Sequence, residues 1–213
     1  SLSTFAILVR AGFQMREFED RFLKIGLPYR VFGGPRFYER AEIRDALAYF
    51  RVVVQPNDDL ALERIINLPK RGLGDTTLST LHATARAQGI SLTAAIDQMV
   101  HTPGVLKPKV RDTLAKLSLD FARWRGLLQT GDTEAMPAGD SHAEVAGLIL
   151  DESGYTAMLQ ADKSPDAPGR LENLKELVGT IADYPSLPAF LEHVALVMEN
   201  ANNAADDAVS IMT

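Results

Sequence analysis

Asn67-Leu68-Pro69-Lys70-Arg71-Gly72-Leu73-Gly74-Asp75-Thr76-Thr77-Leu78, residues 67–78, separates two segments whose apolar residues recur at helical spacing. Leu62, Ile65 and Ile66 lie before it; Leu78, Leu81 and Ala85 lie after it. Gly-Leu-Gly permits a tight hairpin and close approach of backbone to a ligand, because glycine lacks the Cβ that forbids such geometry. The first N–H groups of the helix after Gly74 have no intrahelical acceptor and carry partial positive charge, which suits a phosphate. Lys70 and Arg71 add charge beside them, and Leu73 can turn inward to hold the hairpin on the two helices. That is the logic of a helix-hairpin-helix module, which grips the DNA backbone without reading bases. The alternative is an ordinary corner between two helices, in which the glycines only make the turn.

Upstream, Thr4 to Val9 reads as a short buried strand. Met15 to Lys24 reads as a helix ended by Gly26-Leu27-Pro28, and Tyr29 to Phe32 as a second strand stopped by Gly33-Gly34-Pro35. Strand–helix–strand at this spacing is part of a parallel α/β unit, too short for a domain. From Ile43, Leu47, Phe50 and Val54 onward the spacing is helical. Ser91 is placed to cap a helix from Leu92 to Val100, and Lys107 to Leu128 is a long amphipathic helix holding the only tryptophan, Trp124. Gly131 to Asp140 is a polar loop. Further helices fit His142–Glu152, Tyr155–Gln160, Arg170–Asp183 and Leu187–Asn200, with Asn200 to Asp207 as a linker and Ala208 to Thr213 as a last strand. The expected fold is mostly α: a helical insertion in a parallel-sheet domain, with the sheet partly present and the two chain ends close together.

The chain has 213 residues, no cysteine and a net charge of −6. Disulfides and thiolate metal sites are therefore excluded, and no apolar run reaches the roughly 20 residues needed to span a bilayer. The start lacks the charged-then-apolar pattern of a signal peptide. The charge is uneven: residues 1–131 carry 19 Lys and Arg against 13 Asp and Glu, and residues 132–213 carry 3 against 15. Such asymmetry points to a polyanion partner, or to clustering on solvated helices.

No Gly-x-x-x-x-Gly-Lys-Ser/Thr phosphate loop is present, and Gly33-Gly34-Pro35 reads as a turn. His82, His101, His142 and His193 lack paired ligand spacing. Asp140-Ser141-His142 has no nucleophile elbow. The paired acids Asp58-Asp59, Asp151-Glu152 and Asp206-Asp207 point apart if helical, against a shared proton or metal. A second basic stretch interleaves Arg30, Arg36, Arg40 and Arg44 with Phe32, Phe37 and Tyr38. It would either track and stack a single strand or pack its aromatics into a core.

Read together, these segments resemble UvrD/Rep/PcrA-type superfamily 1 DNA helicases. Ala6-Ile7-Leu8-Val9-Arg10 with Gln14-Met15-Arg16 is similar to the family's strand followed by Arg-Thr-Asn-Ala-Gln-Ser-Arg. The run Pro28 to Tyr49, which includes Gly33-Gly34-Pro35-Arg36-Phe37-Tyr38-Glu39-Arg40 and Asp45-Ala46-Leu47-Ala48-Tyr49, is close to the segment that leads into its inserted subdomain. Asp58 to Gly74 is similar to the family's helix-hairpin-helix, Arg170 to Leu177 to a later helix, and Val209 to Thr213 to the strand before its Leu-His-x-Ala-Lys-Gly-Leu-Glu motif.

The resemblance implies a piece of the second RecA-like motor domain at 1–34, a helical accessory DNA-binding subdomain (2B) at 35–205, and a returning motor strand at 206–213. It implies duplex contacts at Lys70, Arg71, Gly72, Leu73 and Gly74, and a single-strand contact at Arg10. The family's next such contact, an Asn, falls on Gly12, which has no side chain to offer; Phe13 beside it would stack instead. The phosphate loop, the Mg²⁺ ligands and the γ-phosphate arginines of the family lie outside these residues. The chain alone is thus expected to need no cofactor and to be inactive, ATP and Mg²⁺ belonging to the parent ATP-dependent 3′–5′ helicase. Expected partners are duplex or fork-junction DNA without sequence preference, the remaining motor domains and repair proteins, with no membrane. The location would be the bacterial cytoplasm, at the nucleoid, in repair or replication. Rotation of the insertion would hinge near Gly33-Gly34 and Asn200 to Asp207. A protein-interaction module, using the acidic half, is the alternative; a nuclease subunit related to the family is a third.

Overall fold

A computed structural model describes residues 1–10, 14–32, 37–130, 142–202 and 207–212. Three parallel strands, β1 (Ala6–Leu8), β2 (Tyr29–Phe32) and β3 (Val209–Met212), form one sheet in the order β1-β3-β2. The last strand lies between the first two, with Ala6 opposite Ser210 and Tyr29 opposite Val209. The two ends of the sequence therefore meet, as the strand pattern implies. A short 3-10 turn at Leu2–Thr4 is tied to β3's approach by Asp207, which accepts from the Ser1 hydroxyl and the Ser3 amide at 2.7 Å each. Helix α1 (Met15–Lys24) links β1 to β2 and packs Met15 and Phe22 beside Tyr29 and Ile211 in a small core under the sheet.

The body comprises nine further helices among the described residues: α2 (Ala41–Val54), α3 (Asp59–Ile65), α4 (Asp75–Gln88), α5 (Leu92–His101), α6 (Pro108–Thr130), α7 (His142–Glu152), α8 (Tyr155–Ala161), α9 (Ala167–Ile181) and α10 (Leu187–Asn202). Helix α2 is the axis, buried along most of its length and in contact with α3, α6, α7, α9 and α10. Its Ile43, Tyr49, Phe50, Val52 and Val53 are fully covered and join Leu62, Leu114, Trp124, Leu177 and Phe190 in one core. Helix starts follow their caps: Asp58 Oδ1 accepts from Ala61 N (3.1 Å) for α3, and Ser91 Oγ from Ala94 N (3.3 Å) for α5. Helix α4 stops at Gly89 (φ +64), whose left-handed backbone lets the Ile90 amide return to the Ala85 carbonyl.

The paired acids Asp58 and Asp59 do point apart. Asp58 caps α3 and pairs with Arg51, whereas Asp59 accepts from the Leu92 amide. Glu152 accepts from the Trp124 ring N–H (2.6 Å) and from Arg123, whose hydrogen bond holds the Glu152 carboxyl below its usual range. Expectations change near both ends: the strand read as buried over Thr4 to Val9 is confined to Ala6–Leu8 and is largely exposed, with Thr4 in the 3-10 turn, and Ala201 and Asn202 are not linker but the last turn of α10, because the apolar spacing of Val194, Val197 and Met198 carries the helix forward. The loop Gly131–Asp140, the hinge residues Gly33-Gly34 and positions 203–206 lie outside the described residues.

Two outcomes follow. Phe50→Ala, which empties a site with no solvent access, should cost about 3–5 kcal/mol in urea unfolding. The hydrogen bonds from Ser1 and Ser3 lower the pKa of Asp207 to about 2. Because the folded value is depressed, this contribution is complete above the ordinary carboxylate range and is lost as pH falls through about 2. An NMR titration of the Asp207 carboxyl should give that midpoint, and a midpoint near the ordinary carboxylate value would show the clasp to be absent.

Candidate nucleic-acid interface

The 66–74 connection runs between α3 and α4. Asn67 braces it from within: its Oδ1 accepts from the Arg71 amide (2.8 Å) and its Nδ2 donates to the Leu73 carbonyl (2.9 Å). Gly72 makes the turn at φ +72, with open space where a Cβ would stand. Leu73 is 2% exposed and packs inward, as its apolar side chain requires. Lys70, Gly72 and Gly74 face solvent. Gly74 is the N-cap of α4 and offers no side chain to the free amides of the first turn. Asp75, in that same turn, is the local acid; it complements the helix dipole and opposes an incoming anion.

Arg71 lies differently from Lys70. Its Nη1 donates to the carbonyls of Ile65 (2.7 Å), Ile66 (3.2 Å) and Pro69 (3.4 Å), and its Nη2 to the Tyr49 hydroxyl (2.6 Å) and the Ser153 carbonyl (3.2 Å). Burial raises the pKa of Tyr49, with the Arg71 charge pulling against it. Tyr49, Asn67 and Ser153 are thus parts of this site that sequence reading did not single out. Asn67 stood in the quoted stretch, and its side chain is of the kind that brackets turns. Tyr49 and Ser153 carried no local signal, since chain separation hides them.

Arg10 is exposed just past the carboxyl end of β1, its amide donating to Gln14 Oε1 at 3.0 Å. Ligands of open parallel sheets gather at that edge. Gly12 and Phe13 lie outside the described residues. The second basic stretch does not form a stacking strip. Phe37 and Tyr38 are 0% and 2% exposed and pack edge to face in the core, and Arg40 lies over the Phe37 ring while donating to Asn173 Oδ1. The packing alternative therefore holds for these two rings. Arg36 lies outside the described residues, and Arg44 lies on a groove between α2, α3 and α10, about 630 Å³ in volume, with Leu60 and Met198 on its walls. Among the described residues no three His, Asp or Glu are grouped to hold a metal, and no helix is long and apolar enough to cross a membrane.

By sequence, the chain belongs to the family of UvrD-like helicases. Residues 1–104 match the model described as "UvrD-like helicase C-terminal domain". The chain is 44% identical to DNA helicase II of Rickettsia typhi over 195 residues, which is 92% of the chain and 28% of that protein. It is 36% identical to the ATP-dependent DNA helicase PcrA of Bacillus subtilis over 225 residues, and 36% identical to DNA helicase II of Escherichia coli over 227. Both alignments take in 100% of the chain, with 29% and 30% of those proteins. The chain thus spans less than a third of the length of these relatives.

Asn67→Ala removes both brackets of the connection and strands the Arg71 amide and the Leu73 carbonyl. It should cost about 1–3 kcal/mol in urea unfolding, with amide exchange at Arg71 accelerated well beyond that of the α2 amides.

Proposed function

We propose that the chain supplies the duplex- and junction-binding, regulatory part of an ATP-dependent 3′–5′ DNA helicase acting in repair or replication. On this reading residues 35–205 are an accessory subdomain carrying a helix-hairpin-helix. Residues 1–34 and 206–213 are parts of the motor sheet into which it is inserted. The observation that carries the reading is the 66–74 connection. It holds Lys70 and the glycine-capped first turn of α4 outward on a braced frame, a geometry suited to backbone phosphates and indifferent to base sequence. Arg10 at the carboxyl edge of the sheet is assigned to a single strand on the same grounds. ATP and Mg²⁺ would be held by the remaining motor domains. Phe5, Leu8 and Phe32, all markedly exposed on the sheet, suit contact with those domains. A cytoplasmic, nucleoid-associated location goes with this activity.

Regulation would come from rotation of the helical body against the sheet. The ties such a rotation must break include the ion pair of Arg16 on α1 with Glu176 on α9, and the hydrogen bond of the Phe37 amide to the buried Glu19 carboxylate.

A second reading, a protein-interaction module, is favoured by the apolar groove between α2, α3 and α10 with exposed Leu60 at its mouth. One titration separates the two. Binding of the chain to a fluorescent duplex with a single-stranded tail should weaken as salt rises. Lys70→Ala should weaken it further and reduce the slope of log K against log salt by about 0.9, one phosphate contact. Asp75→Asn should tighten it, since a charge opposing the phosphates is removed. A folded chain with no affinity even at low salt would overturn the DNA reading in favour of protein contact.

A further inference from the structure

We infer that Arg71 is a positioning residue: its guanidinium fixes the 66–74 connection to two distant parts of the body, and does not itself grip the DNA backbone. The inference rests on the DNA-binding reading above and divides the basic pair Lys70-Arg71 into two unlike roles.

The geometry is one of convergence. Five oxygens surround the two terminal nitrogens of Arg71, and they come from three places: the end of α3 and its exit (Ile65, Ile66, Pro69), the middle of α2 (Tyr49), and the turn between α7 and α8 (Ser153). These nitrogens carry four N–H donors, and a bidentate phosphate contact uses the same planar fork. A phosphate would have to strip the donors from carbonyls that lie in the protein. Tyr49 serves as the relay: its hydroxyl accepts from Arg71 and donates to the Leu68 carbonyl, and its ring lies beneath the guanidinium, 5.9 Å from ring centre to carbon. At the α7–α8 turn, Gly154 adopts φ +81, and a Cβ built there would stand 3.6 Å from the Pro69 ring. The connection is therefore tied to that turn by a hydrogen bond, with the Pro69 ring beside Gly154. Without the guanidinium, the carbonyls of residues 65, 66 and 153 lose a donor together, and Lys70 and the first turn of α4 lose the frame that presents them.

Lysine is the informative substitute. It keeps the charge but has a single nitrogen and no planar fork, so it cannot span acceptors on three elements. As a phosphate ligand it would serve nearly as well as arginine.

The test is the same salt titration of the 213-residue chain on the tailed duplex, with Arg71→Lys, Arg71→Ala and Tyr49→Phe, and Lys70→Ala as reference. Circular dichroism and thermal melts monitor the fold. Arg71→Lys and Arg71→Ala should each bind roughly tenfold more weakly, the effect of a lost charged hydrogen bond, with the salt slope of the unaltered chain. Tyr49→Phe, which changes no charge, should bind severalfold more weakly at that same slope. A slope reduced by about 0.9 in Arg71→Ala, with Arg71→Lys near the unaltered chain, would make Arg71 a phosphate ligand and overturn the inference. Unchanged affinity in the folded Arg71 and Tyr49 variants would overturn it as well, while the slope change of Lys70→Ala would keep the DNA reading intact. Should the Arg71 variants fail to fold, Tyr49→Phe decides alone, unchanged affinity again overturning the inference. Absence of binding by the unaltered chain would overturn the DNA reading and this inference together.

Discussion

Burial of α2 is the constraint on which the molecule depends. A 14-residue helix covered along most of its length must find apolar partners on nearly every side, and α3, α6, α7, α9 and α10 supply them. Its polar residues then become internal anchors, because burial leaves them no water to bond. Glu42 accepts from the side chain of Asn173 on α9 at 2.6 Å, and Asp45 from Tyr155 (2.7 Å) and Arg64 (2.6 Å). Tyr49 holds Arg71. Hydrogen bonds of this kind contribute modestly when made and cost more when one partner is removed, so they fix which helix lies against which. Burial also pushes the Tyr155 phenol well above its ordinary range, with the neighbouring Asp45 carboxylate adding to the effect.

The surface that faces DNA in the proposed function is a by-product of that arrangement. The 66–74 connection is too short to hold a geometry alone, with Ile66, Leu68 and Leu73 as its aliphatic side chains. Its shape is borrowed from α2 and from the α7–α8 turn. The loop to which the proposed function assigns DNA contact is therefore held by residues up to 82 positions away in the chain.

Much of this was legible in the sequence, and the parts that were not share a cause. Periodicity located α1, β2 and α7 at their observed ends, because their apolar residues and flanking Gly, Pro or polar residues agree. The adjacency of the chain ends followed from strand-like runs at both termini and from the family resemblance. Ala201 and Asn202 read as linker because of the polar residues around them, whereas the helix behind them simply continues. Phe37 and Tyr38 offered two readings, and only packing against Phe190 and its neighbours selects the buried one. For the site, Lys70, Gly72, Leu73 and Gly74 could be assigned outward or inward from residue type alone. Arg71 could not, since charge predicts exposure and nothing local announces the carbonyls of residues 65 and 153.

The position of β3 has a consequence for how the chain acquires its structure. β3 lies between β1 and β2, and each of its pairings spans a large part of the sequence: Ala6 meets Ser210 and Tyr29 meets Val209. Closing loops of that length early would cost chain entropy with few contacts in return, and contacts of such separation slow folding. The helical body has many contacts, such as those of α4 with α5 and of α5 with α6, that are near in sequence and escape that delay. Its collapse brings residues 37 and 197 into one core and so shortens the search for the sheet. In kinetic terms, the helices between β2 and β3 shorten the path by which β3 reaches its place between β1 and β2.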